Sequence, residues 1–249
     1  MAWVESHSAS FTARHGDAGS EAAARILDEL ERFRERLDGR FERTPGDVAV
    51  IIHPRWLELA LGQPWLPAAW LAAAPASRRY LTGWFATGQI HVLSPAALDR
   101  RASALPESRE AARLAPLHEY AHLVVGANNR QLPPPFSPRT FRRYLRWAWL
   151  CEGAAAYLSG QSEFLRPAIG RRLREGPPPS MPPSARDAQL LGGSVLAMLA
   201  DEAGGAAAIR LATQLDPAGP PAAIERAFER PLAEVQRDWR SYLTGLAHG

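Results

Sequence analysis

The chain has no lysine, one cysteine and three methionines among its 249 residues. A single cysteine, Cys151, excludes an intramolecular disulfide and any zinc site built on two or four cysteines. With no lysine, all 29 basic residues are arginine. Abundant Ala, Arg and Pro without Lys fits coding from a GC-rich genome, and the net charge is only +3. The Arg pairs at 78–79, 100–101, 142–143 and 171–172 are scattered and form no basic block, so no nucleic-acid partner is expected. No run of about 18 uncharged apolar residues occurs, so no bilayer-spanning helix and no membrane partner are expected. The first residues, Met-Ala-Trp-Val-Glu-Ser-His, lack the basic and then apolar run of a signal peptide. That reads as a cytoplasmic protein, with a trimmed exported form as the alternative.

What is present suits a globular chain: 46% hydrophobic and 22% charged residues, enough for one large domain or two small ones. Residues 7–14 (HSASFTAR) read as a first strand. Ser20 as N-cap, an apolar stripe at Ile26, Leu30, Phe33 and Leu37, and Gly39 as stop predict a helix. Residues 48–52 (VAVII) read as a buried strand, and 56–77 as short helices and loops. Segments 80–85 and 88–93 read as two strands joined by a tight turn. From residue 106 the pattern is helical: 107–114, then 117–125 with Gly126 as stop. A loop with Pro133, Pro134 and Pro135 follows. Ser137 as N-cap with Pro138 at the first helical position opens a helix expected to run to Leu158, with Gly160 as stop. A second Pro-rich link at 176–184 precedes amphipathic helices, the last carrying Leu232, Val235, Trp239 and Leu243 on one face. Strands come first and only helices afterwards, which predicts an α+β fold. Residues 1–126 form a sheet-bearing half and 127–249 a helical half.

The motif that carries chemistry is His118-Glu119-Tyr120-Ala121-His122. Residues four apart on a helix share a face, so both imidazoles can bind one metal ion. Glu119 projects near the same space, where it can accept a proton from water at the metal. Such a site needs a third protein ligand. The candidate is Glu152, alone in an otherwise uncharged stretch from Trp147 to Ser162. A lone carboxylate among Trp, Leu and Ala is costly to bury without a cation. The alternatives for Glu152 are an exposed strip or an Arg partner. For Tyr120 and Cys151 the expected role is core packing; His7 and His53 read as strand-end residues.

His118-Glu119-Tyr120-Ala121-His122 followed by Trp149-Leu150-Cys151-Glu152-Gly153 resembles the gluzincin metallopeptidases, and among them the peptidase MA-like group of bacterial proteins. The resemblance covers most of the chain, including the Gly-Gln-Ile-His-Val-Leu strand and the C-terminal AFERPLAEVQRDWRSYL segment. It implies a zincin-like unit: a small mixed sheet packed on the motif helix, with the helical half carrying the third ligand. It also implies Zn²⁺ held by His118, His122 and Glu152, with Glu119 as general base. The chain departs from related patterns in four ways, the first being the 29 residues between His122 and Glu152, a longer separation than in thermolysin-like relatives. Ala156 stands where some gluzincins carry an Asp that orients a ligand His. The Gly-x-Met-Glu-Asn segment of zinc aminopeptidases is absent. The helix expected over 187–200 has no Tyr.

Without that Tyr, the negative oxygen that develops during peptide hydrolysis has no evident donor. His91 and Tyr157 are the candidates, each with a plainer role as exposed strand residue or core residue. The expected function is a zinc-dependent peptidase, cutting within a peptide or protein substrate rather than at its N-terminus. The substrate would lie along strand 88–93, expected at the sheet edge nearest the metal. The alternative is a zinc-binding protein of the same kind with little or no peptidase activity. A DNA-associated zincin is a weaker third reading, since neither a basic patch nor a zinc ribbon is visible.

Overall fold

The structure is a computed structural model and describes residues 3–73, 78–101 and 105–248. Residues 74–77, the end of the expected 56–77 stretch, lie outside the described residues. The fold is α+β. Five strands make one mixed sheet: β1 (Trp3–His7), β2 (Phe11–Gly16), β3 (Val48–His53), β4 (Gly83–Ala86) and β5 (Gln89–Leu93). Their spatial order is β1-β2-β3-β5-β4. β2, β3 and β5 run parallel, while β1 and β4 lie antiparallel at the two edges.

Two strand expectations change. The single strand over 7–14 is a hairpin of β1 and β2. The Ser8 N–H donates to the Phe11 carbonyl at 2.9 Å, closing the turn. Glu31 then accepts from the Ser8 hydroxyl at 2.7 Å and the Ser10 N–H at 2.6 Å, which ties the turn to the first helix, α1 (Ser20–Asp38). The second correction bears on function: residues 88–93 are not at the sheet edge. β5 pairs with β3 on one side and β4 on the other. The physical reason is burial. Ile90, Val92 and Leu93 are at most 1% exposed and suit an interior strand, whereas the four-residue β4 suits an edge.

The helices after α1 are α2 (Trp56–Gly62), α3 (Trp65–Ala72), α4 (Pro95–Arg101), α5 (Pro106–Arg113), α6 (Ala115–Asn128) and α7 (Pro138–Arg146). They continue as α8 (Ala148–Leu158), α9 (Arg166–Glu175), α10 (Ala188–Ala203), α11 (Gly205–Thr213), α12 (Pro220–Phe228) and α13 (Leu232–His248). α1 buries Ile26, Leu30, Phe33 and Leu37 as its stripe requires, although its N-cap is Gly19 rather than Ser20. α6 and α8 are apolar on almost every side and form the centre: α6 packs on β4 and β5 and against α8, and α8 packs on α10. One continuous core joins residues of both halves.

The helix expected from Pro138 to Leu158 is broken at Trp147, whose φ and ψ are −109° and 19°. Its start is as expected: the Ser137 hydroxyl accepts from the Thr140 N–H at 3.1 Å, and the Thr140 hydroxyl accepts from the Ser137 N–H at 2.7 Å. The break has a cause in composition. α7 exposes Arg139, Arg142 and Arg146, whereas α8 is buried from Ala148 to Ala156. A change of axis keeps the arginines in water while α8 enters the core.

Candidate metal centre

α6 carries His118, Glu119 and His122, and α8 carries Glu152; all four are at most 7% exposed. The i, i+4 spacing sets the two imidazoles side by side, with Nε2 atoms 3.2 Å apart. Glu152 faces them from the next helix. Its Oε2 is 3.3 Å from His118 Nε2 and its Oε1 is 3.4 Å from His122 Nε2. Around a tetrahedral zinc with ligands about 2.0–2.1 Å away, neighbouring ligand atoms are roughly 3.3–3.4 Å apart. The three groups thus have the spacing of one face of such a tetrahedron, and they are the cluster among the described residues able to hold a metal ion. Neither alternative for Glu152, an exposed strip or an Arg partner, is found.

The electrostatics suit a cation. Burial pushes the His122 pKa down to about 3, so its imidazole is neutral and offers a lone pair. Burial opposes charge on Glu152 as well, but the facing histidines and the Tyr144 hydroxyl hold its carboxyl below the ordinary range. Glu119 goes the other way: burial, then the Glu152 charge, raise its pKa well above the usual value. Glu119 is closely packed as well as buried. Its carboxyl lies against β4, where a Cβ added to Gly83 would come within 2.6 Å of Glu119 Cγ and Oε1.

Tyr144 was not singled out in the sequence. It donates its hydroxyl to Glu152 Oε1 at 2.5 Å, and the ring is buried among Trp84, Phe85, Phe136 and Phe141. Glu152 is therefore braced. His118 is not, because its Nδ1 is buried without a hydrogen-bond partner. Ala156, on the buried side of α8, cannot supply the carboxylate that often braces a metal-binding imidazole. Gln189, near the start of α10, was missed too. With Gly83, Glu119, His122 and Glu152 it lines a cavity of about 10 Å³, room for roughly one water. The sequence signal was weak, because Gln189 follows Arg186 and Asp187 at the start of the helix and so does not stand out as Glu152 does.

The two candidate oxyanion donors, His91 and Tyr157, lie elsewhere. Both ring nitrogens of His91 are occupied, Nδ1 by His53 at 3.0 Å and Nε2 by Gln63 at 2.7 Å. Alternation along β5 turns His91 away from Ile90, which shares a cross-strand pair with Phe85; Phe85 stacks on His122 at 4.1 Å. His91 is buried, not an exposed strand residue. Tyr157 lines a separate cavity with Ser162, Asp201 and Tyr242. Tyr120 and Cys151 are core residues, as expected; the Tyr120 hydroxyl donates to the Pro45 carbonyl at 2.7 Å. Neither a protein-family model nor a curated protein matches the chain.

Proposed function

We propose that the protein is a zinc-dependent peptidase of the gluzincin kind with a zincin-like catalytic unit. The observation that carries this reading is the set of 3.2–3.4 Å spacings among His118, His122 and Glu152, with Glu119 one residue from a ligand and not part of the cluster. Two imidazoles and a carboxylate are a donor set suited to zinc. Zinc held there would supply a Lewis acid toward water and a peptide carbonyl. Glu119 takes the proton of the attacking water and passes it to the leaving amine nitrogen. Burial and the Glu152 charge favour the protonated form of Glu119, and positive charge entering the site would favour its carboxylate.

The peptide lies against β4 rather than β5. The Leu93 N–H donates to the Thr82 carbonyl at 3.2 Å, so alternation turns the backbone groups of Gly83 and Phe85 toward the open side of the sheet. An extended peptide can pair with these groups beside Glu119. Phe136, stacked on Trp84 and Phe85, has to move aside for it.

The test is metal content and hydrolysis on the same preparation. One zinc per chain is expected. Glu119→Gln should keep the zinc and lose roughly 10²–10⁴-fold of the hydrolysis of an unfolded protein. No stoichiometric transition metal after zinc is supplied, or equal hydrolysis by both forms, would sink the proposal. The closed site favours one other reading: a zinc-binding protein with little or no peptidase activity, which would hold zinc and cut no unfolded substrate.

A further inference from the structure

We infer that Gln189 is a catalytic residue whose side-chain amide hydrogen-bonds the reacting peptide group; this rests on the peptidase reading. Gln189 lines the cavity that Glu119, His122 and Glu152 share, and the residue is 4% exposed. Its Oε1 is buried without a hydrogen-bond partner, and no described residue bonds its Nε2. A primary amide offers one acceptor and two donors. Here none is committed to the protein, although buried polar side chains are nearly always paired.

The position of this amide is set by a backbone contact. α10 crosses α8 where Gly192 meets Gly153. A Cβ added to Gly153 would come within 2.5 Å of Gly192 C, and one added to Gly192 within 2.3 Å of Trp149 O. Gln189 stands three residues before Gly192, and Glu152 one before Gly153. The crossing that admits only glycine therefore holds the amide beside the carboxylate ligand.

A free amide in the wall of a site can donate to a reacting carbonyl. Its N–H donates to the carbonyl oxygen that gains negative charge as water adds. This is the role for which no tyrosine was found on this helix. Tyr144 is less suited to the role because its hydroxyl proton is already given to Glu152.

The experiment compares wild type with Gln189→Met, which keeps length and volume and removes the amide. Four quantities are measured on zinc-loaded protein: zinc affinity by chelator competition, Tm, kcat and KM on a fluorogenic peptide, and affinity for a phosphinic peptide. Zinc affinity should stay within about twofold, and Tm should not fall, since an unpaired buried polar group is lost. kcat should drop roughly 10²–10³-fold with little change in KM, and phosphinic-peptide binding should weaken in parallel. Unchanged kcat and phosphinic-peptide affinity would overturn the role of Gln189 alone, as would a loss of zinc affinity that matches the loss of activity. Wild-type protein that binds neither zinc nor the phosphinic peptide would overturn the peptidase reading and this inference with it. If wild type binds both yet cleaves nothing, the phosphinic-peptide comparison decides.

Discussion

The Tyr144 hydroxyl donates to Glu152 Oε1 across 2.5 Å, although the two residues are eight apart in sequence. On one straight helix they would be separated by about 12 Å along the axis. The break at Trp147 folds α7 back far enough for the contact, and so gives the Glu152 carboxylate a partner that fixes its orientation.

Tyr144→Phe removes that hydroxyl and leaves the ring in its aromatic box. Zinc affinity should fall roughly 10–100-fold, the usual effect of losing a group that orients a ligand. Chelator competition measures it; an unchanged Kd would mean that Glu152 needs no brace.

Gly83→Ala tests the approach of β4 to Glu119. The added methyl would overlap Glu119 Cγ and Oε1, so the carboxyl has to swing away while His118, His122 and Glu152 are untouched. Hydrolysis should fall at least about tenfold with zinc content unchanged. Full activity would show that Glu119 tolerates displacement and is not the base.

Metal-free protein should reveal the buried Glu119 proton. Its folded pKa lies above the ordinary 4.5, so the folded state binds more protons above that pH. The stability Glu119 permits is complete below about 4.5 and declines as pH rises. Metal-free Glu119→Gln, which never ionises, should therefore gain Tm over metal-free wild type at pH 7 and lose most of that advantage near pH 4. Equal differences at the two pH values would contradict the buried-proton assignment.

The His53–His91 pair predicts the opposite slope. Burial and the neighbouring His53 hold His91 down at about 4 against an ordinary 6.5. The unfolded chain then binds more protons between those values, and stability is lost as pH falls through the window. Thermal melts from pH 7 to 4.5 should show Tm declining, with a shallower decline in His91→Gln. A variant as acid-sensitive as wild type would place the titrating group elsewhere.

Much of this centre is written in short-range pattern. The i, i+4 histidines share a helix face wherever that helix lies, and a lone carboxylate in an apolar run must find a cation or a polar partner. Those two facts select His118, His122 and Glu152, and the α+β order follows from strand-like segments that precede helical ones. The tertiary structure decided the rest, because it depends on what comes together across long separations. Which strand is the sheet edge depends on the pairing of β3 with β5, which sets Ile51 beside His91, 40 residues further along the chain. The partner of Glu152 depends on a break at Trp147 that local helix signals do not mark. The place of Gln189 depends on Gly153 and Gly192 letting two helices touch at the backbone. The burial of Glu119, and with it the shift in its pKa, is a property of everything packed around α6 rather than of the motif itself.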